Sequence, residues 1–267
     1  MFHPILQRLN ISIYGAGWLG NPLAYLLSQN DYQVLATQSS KISPFVHPNL
    51  RYLDWRIDAQ SKPHIWHPLN EAPIQVWSIP PRARSQGEEF YLKVLSGWIA
   101  NQPKNSNPKL VFLSSTSVYA PSKELITEES ELVENSLIHQ AEQLIINSGF
   151  DYLILRLGGL MGGDRFVGKY YSGKIVDRAN GPVNYLHQED AVQFSFSAIK
   201  NNLSGTYNLV APEHPSRKEV VLESCNKHQL PPPISFNENE DALKIISSEK
   251  ISKALQLDFL HPNPIDF

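Results

Sequence analysis

A doubly wound parallel α/β fold is what this 267-residue sequence predicts, and three observations predict it. Short apolar runs alternate with segments of helical periodicity through the first 157 residues. The run Lys109-Leu-Val-Phe-Leu113 is apolar without alternation, as a central strand covered on both faces requires. A glycine-rich turn joins the first apolar run directly to the first helical segment, the connection from which right-handed crossovers start.

Taken in order, Ile11-Ser-Ile-Tyr14 is short and β-prone and runs into Gly15-Ala-Gly17-Trp-Leu-Gly20. Leu19, Leu23, Leu26 and Leu27 then give one helix face an apolar stripe, and Pro22 falls in the first turn, where its missing N–H costs nothing. Further strands are expected at Gln33–Ala36, Arg51–Leu53, Ile74–Ile79 (stopped by Pro80-Pro81), Lys109–Leu113, Asp151–Leu155 and Thr206–Val210. A helix is expected from Val133 to Asn147, with Leu137, Ile138, Ala141, Leu144 and Ile145 on one stripe. After residue 157 the rhythm loosens into clustered glycines. The expected division is therefore a nucleotide domain over 1–157 and a smaller substrate lobe over 158–267, with some segments returning to the first.

Composition narrows the function classes. Twenty-three basic against 26 acidic side chains leave a net charge of −3, which argues against a protein that grips nucleic-acid phosphates or an anionic membrane. One cysteine, Cys225, excludes an internal disulfide framework and a multi-cysteine zinc site. His187 and Asp190 have metal-like spacing, but Asp190 reads as a helix anchor, and no metal site is expected. Without an apolar span or a signal-like amino terminus, the chain reads as cytoplasmic.

Gly15, Gly17 and Gly20 form G-x-G-x-x-G after a strand and at the opening of a helix, the context in which the pattern carries meaning. The first glycine permits the tight turn, the second lets backbone approach a pyrophosphate, and the third lets helix pack on strand. The expectation is a nicotinamide dinucleotide held by Gly15, Gly17, Trp18, Leu19 and Gly20. No carboxylate follows the second strand to bond a ribose 2′-hydroxyl; Thr37, Ser39, Ser40 and Lys41 stand there instead. That substitution removes repulsion against a 2′-phosphate, so NADP is expected, with NAD as the alternative. Ile79, Pro80 and Pro81 end a strand whose carboxyl end faces the cofactor, and they are candidates for a wall beside the nicotinamide.

Beyond these motifs the chain resembles the extended short-chain dehydrogenase/reductases, the superfamily of nucleotide-sugar epimerases and dehydratases, in its atypical YeeZ-like branch. The resemblance rests on the glycine motif, Phe112-Leu-Ser-Ser-Thr-Ser-Val-Tyr-Ala120, Leu155-Arg-Leu-Gly-Gly-Leu-Met-Gly162, Tyr185-Leu-His-Gln-Glu-Asp-Ala-Val192 and Gly205-Thr-Tyr-Asn-Leu209. It implies that Ser115 polarises a substrate hydroxyl or carbonyl, that Thr116 and Ser117 face the substrate, and that Ser114 and Asp58 lie by the cofactor. A basic group of Arg156, Arg165 and Lys169 would suit a phosphorylated or nucleotide-linked small molecule. The family's Tyr-x-x-x-Lys pair is missing: alignment on Glu142 puts Glu134 at the tyrosine position and Ile138 at the lysine position. Three readings stay open. One is an oxidoreductase or epimerase-like enzyme with an atypical site of Ser115, Tyr119 and Glu134 (His139 a further acid/base candidate). The second is a non-redox isomerase, dehydratase or lyase, and the third is a catalytically silent sensor of NADP(H). The resemblance also implies a homodimer through the 133–147 helix.

Overall fold

A computed structural model of the chain describes residues 10–39, 45–55, 68–81, 87–103, 105–238 and 244–267. In chain order the elements begin with β1 (Ile11–Tyr14), α1 (Gly20–Gln29), β2 (Val34–Gln38), β3 (Leu50–Asp54) and β4 (Ile74–Trp77). They continue with α2 (Glu88–Ala100), β5 (Lys109–Ser115), β6 (Leu125–Ile126), α3 (Leu137–Ile146), β7 (Tyr152–Leu157) and β8 (Gly159–Met161). Then follow α4 (Val167–Tyr171), β9 (Ile175–Val176), β10 (Tyr185–His187), α5 (Gln188–Lys200) and β11 (Gly205–Leu209). The chain closes with α6 (Arg217–Lys227), β12 (Ser235–Phe236), β13 (Ile245–Ile246) and α7 (Glu249–Leu255).

Seven strands form one sheet in the order β11-β7-β5-β4-β1-β2-β3. Strand β1 runs parallel to both β2 and β4, and the parallel ladders extend from β2 to β3 and from β4 to β5. The order turns back between β1 and β4, so the loops leaving the carboxyl ends of these two strands flank the switch point of the sheet. That is the doubly wound architecture the alternating pattern predicts. Among the described residues no helix is long and apolar enough to cross a membrane.

The chain divides into two compact units, one of Met1–Ser114, Glu134–Ile154 and Asn202–Gly205, the other of Ser115–Val133, Leu155–Asn201 and Thr206–Phe267. In the first, Tyr14, Trp77 and Trp98 meet with ring centroids 5.0–5.8 Å apart and anchor a core shared with Leu95, Phe112 and Ile145. The second has its own cluster of Val167, Val176, Val183, Val220, Val221 and Cys225. Burial raises the Cys225 thiol above its ordinary value, which fits an inert packing residue.

One predicted boundary moves. The helix expected from Val133 starts at Leu137, because Asn135 takes a left-handed φ of +58° and Ser136 caps the helix by accepting the His139 amide. Glu134 therefore lies in the loop before α3 and is exposed, so the helical spacing that paired it with residue 138 does not exist.

The first unit also holds a buried ammonium. Lys109 opens β5, and its Nζ donates to Asp151 Oδ2 at 2.7 Å, to the Asn202 carbonyl and Oδ1, and to Ser204 Oγ. Burial alone would raise the Asp151 carboxyl, but its bonds to Lys109 and Ser204 and the Lys109 charge hold it below the usual range. Lys109→Met should cost about 1–3 kcal/mol by urea denaturation, because several acceptors lose one donor together. A carboxyl lowered on folding stabilises above its unfolded value of about 3.9 and loses that effect as pH falls through the folded value. The stability gap between wild type and Asp151→Asn should accordingly be present at neutral pH and close below about pH 4.

Candidate functional site: a glycine cradle at the switch point of the sheet

Each glycine of the motif meets a separate steric demand. Gly15 turns the chain at φ +97°, and a Cβ placed on it would lie 2.7 Å from Ile79 Cγ1. A Cβ on Gly20 would lie 2.2 Å from the Gly15 carbonyl oxygen, so the helix starts against the turn with no room for a methyl group. Gly17 is exposed, and a Cβ there would meet nothing within 4 Å. The open side of the turn is thus the side on which the motif expects a diphosphate to approach.

Neighbouring elements fix this turn. The Gly15 amide donates to Thr37 Oγ1 at 2.8 Å and the Ala16 amide to the Thr37 carbonyl at 2.6 Å. Thr37 is itself buried, and its hydroxyl sets the shape of the loop. No side chain caps α1 and no acidic residue stands in its first turn, so the helix supplies no anion of its own to its positive end. Ser78 and Ile79, at the exit of β4, complete the wall behind Gly15 and Gly20. Leu19 is buried, Trp18 is half-buried, Pro80 is exposed and Pro81 half-buried.

At the carboxyl end of β2 the structure singles out a residue absent from the sequence expectations. Gln38 Oε1 is buried with no hydrogen-bond partner among the described residues, while its main-chain carbonyl accepts the Trp55 amide. A buried amide oxygen without a donor suits a hydroxyl or amide supplied by a ligand. No local sequence signal marks this residue beyond its place at the end of β2. Ser39 is exposed, and Ser40, Lys41 and Asp58 lie outside the described residues. Ser114 donates its hydroxyl to the buried Glu142 side chain at 2.5 Å and ties β5 to α3.

Residues expected at the substrate fall in the second unit. Ser115 is half-buried and accepts the Ser117 amide at 3.2 Å, Ser117 is exposed, and the buried Thr116 donates to the Leu157 carbonyl at 3.3 Å. Tyr119 is 2 % exposed; its hydroxyl donates to Asn208 Oδ1 at 2.6 Å and accepts from Arg156 Nη1 at 2.7 Å. Burial pushes that hydroxyl above the ordinary phenol range against the pull of Arg156. Tyr119 is therefore part of the packing, not an acid open to solvent, because both sides of its oxygen are taken. Arg156 leaves the expected basic group with it, bonded also to the Glu128 carbonyl. Lys244, unremarked in the sequence, donates from Nζ to the Thr116 and Tyr119 carbonyls at 3.0 Å each and pins the turn that follows Ser115. Arg165 is half-buried, and Lys169 is exposed with Nζ 3.3 Å from the Asp164 carbonyl.

Comparison with known proteins supports the same family of folds. No protein-family model matches the chain. Protein YeeZ of Escherichia coli is 29 % identical over 96 % of this chain and 97 % of its own length. Among solved structures, UDP-glucuronic acid 4-epimerase from Bacillus cereus in complex with NAD superposes with a TM-score of 0.76 at 15 % identity, covering 96 % of this chain and 95 % of that one. Human epimerase family protein SDR39U1 with NADPH gives 0.70 at 14 % identity, covering 95 % and 96 %. At these identities the two structures are likenesses of fold.

The steric contrast between the glycines has a direct consequence. Gly17→Val should leave the thermal midpoint near wild type while abolishing NADPH binding in a fluorescence titration. Gly20→Ala should instead lower the midpoint, since something must move to admit the methyl. Wild-type affinity in Gly17→Val would place the ligand elsewhere.

Proposed function

For a YeeZ-like chain with the fold of the extended short-chain dehydrogenase/reductases, we propose a nicotinamide-dinucleotide-binding protein that prefers NADP(H) and acts on a phosphorylated or nucleotide-linked small molecule. The observation that carries the reading is the glycine cradle, closed at Gly15 and Gly20 and open at Gly17. The bound cofactor would supply hydride chemistry at its nicotinamide. Gly15, Gly17 and Gly20, with the Trp18 and Leu19 backbone and the amino end of α1, hold the diphosphate. Ile79, Pro80 and Pro81 border the nicotinamide side. Ser115, with Thr116 and Ser117, remains the group proposed for substrate, with Arg165 and Lys169 for its phosphate.

NADP preference follows from β2. Gln38 is neutral where a carboxylate would repel a 2′-phosphate, and its amide can accept from a ribose hydroxyl or donate to phosphate. That one relative by fold is a complex with NAD and another with NADPH is compatible with either cofactor, and the neutral Gln38 supports the NADP reading.

The silent sensor stays as the second reading because of one observation: Tyr119 is engaged on both sides. Binding without turnover is its expected signature.

A homodimer through α2 and α3 is proposed as well. Leu92, Ile99 and Leu144 line a groove of roughly 810 Å³ between these helices, rimmed by His139, Gln140 and Gln143, and a second copy is its proposed occupant.

Two measurements test these statements. Wild type should bind NADPH more tightly than NADH, and Gln38→Asp should cut the NADPH:NADH affinity ratio at least tenfold; an unchanged ratio would remove Gln38 from the ribose site. Light scattering should report a dimer that Leu144→Arg converts to monomer without lowering NADPH affinity more than twofold.

A further inference from the structure

Outside the dinucleotide site, one cluster of side chains in the second unit has the makings of a separate binding centre. His187 ends β10 and stands as the N-cap of α5, Glu189 lies in the first turn of α5, and His261 arrives from a segment 72 residues beyond Glu189. We propose that these three residues bind a divalent transition-metal ion of the zinc class.

Their donor atoms all lie within 4.8 Å of one another. His261 Nε2 is 2.8 Å from Glu189 Oε2, and the two imidazole rings lie with centroids 3.7 Å apart, tilted by 39°. Two imidazoles and one carboxylate are a donor set that zinc and its neighbours accept, and three protein ligands leave a fourth position for water or an outside ligand. Around an ion with bonds of ~2.0–2.1 Å, tetrahedral donors sit about 3.3 Å apart, so the donors need to draw together by about an ångström to close the site. His187 Nδ1 accepts the Glu189 amide at 3.3 Å, a long bond that the ring gives up at small cost when it turns a lone pair to an ion.

The surroundings hold the donors in place. Asp190, 1 % exposed, accepts the Leu260 amide at 2.7 Å and the His261 amide at 3.0 Å, which fixes the backbone that carries His261. The Phe267 ring meets both imidazoles edge-on, 5.3 Å from His187 and 6.3 Å from His261, and gives the cluster an apolar wall. The sequence expectation of no metal weighed His187 with Asp190. The fold gives Asp190 to backbone amides and supplies Glu189 and His261 in its place.

The test uses the full chain after chelator treatment. Zn²⁺ is titrated in competition with a chromophoric chelator, and Co²⁺ is titrated for its visible absorption. One ion per chain at micromolar affinity or tighter is expected, weakened roughly tenfold or more in His261→Ala and again in Glu189→Gln, with circular dichroism unchanged. His187→Ala also removes a helix cap, so the His261 and Glu189 variants carry the decision. Absence of a stoichiometric ion in wild type, or wild-type affinity retained in both variants, overturns the proposal.

Discussion

The backbone-to-backbone approach at the start of α1 is the constraint on which the rest depends. A Cβ at residue 20 would stand 2.2 Å from the Gly15 carbonyl oxygen, and one at residue 15 would strike Ile79. These are contacts between main chain and neighbouring strand exits, so relaxation of a flexible side chain cannot relieve the tighter of them. They seat the helix directly on β1, a strand buried at every residue in the middle of the sheet. Thr37 then locks the turn from β2 through two amides. The result is a turn whose shape is fixed by contacts within the chain, and pre-organisation of this kind lowers the ordering cost of binding.

What was legible in the sequence follows from what is local. The strands and α1 were readable because burial on one or both faces writes itself as periodicity over a few residues. The glycine turn was readable because steric exclusion writes itself as residue identity. The start of α3 was not, because a hydrophobic stripe continues across Val133–Leu137 while a left-handed Asn135 and the Ser136 cap decide the boundary. Tyr119 illustrates the larger gap. Its spacing from Ser115 suggests chemistry, yet its partners are Arg156 and Asn208, which lie 37 and 89 residues along the chain. No local pattern reports such contacts. Gln38 was passed over for the opposite reason: an amide carries no signature until the structure finds its oxygen buried without a donor.

The engagement of Tyr119 also bears on reaction class. A phenol that donates to Asn208 and accepts from a guanidinium has its proton committed within the chain, and burial raises its pKa further from neutrality. General acid–base work at neutral pH favours groups whose pKa lies near the working value. Glu134, exposed in a loop, is no substitute fixed by helical geometry. What the turn after β5 does have is order. Asn208, Arg156, Glu128 and Lys244 together fix residues 116–119, with Asn208 donating its amide to the Glu128 carboxylate at 2.7 Å.

Under the proposed function, the order of this turn fits two kinds of chemistry. One is recognition, in which a rigid Ser/Thr turn reads a ligand and a dinucleotide reports its redox state. The other is a reaction whose proton moves through the substrate or through water held by Ser115, with the protein contributing position more than acidity. Both use the turn as a fixed template, and both explain why Lys244 is directed at two carbonyls rather than at a reacting group. They differ at Ser115. Among the described residues its hydroxyl oxygen accepts the Ser117 amide at 3.2 Å, and under the proposed function its proton would go to a substrate oxygen. A template that only recognises gains one hydrogen bond from that proton, whereas a template that catalyses needs it where charge develops on the substrate. Under the proposed function, Ser115 at the end of β5 is the position at which these two readings part.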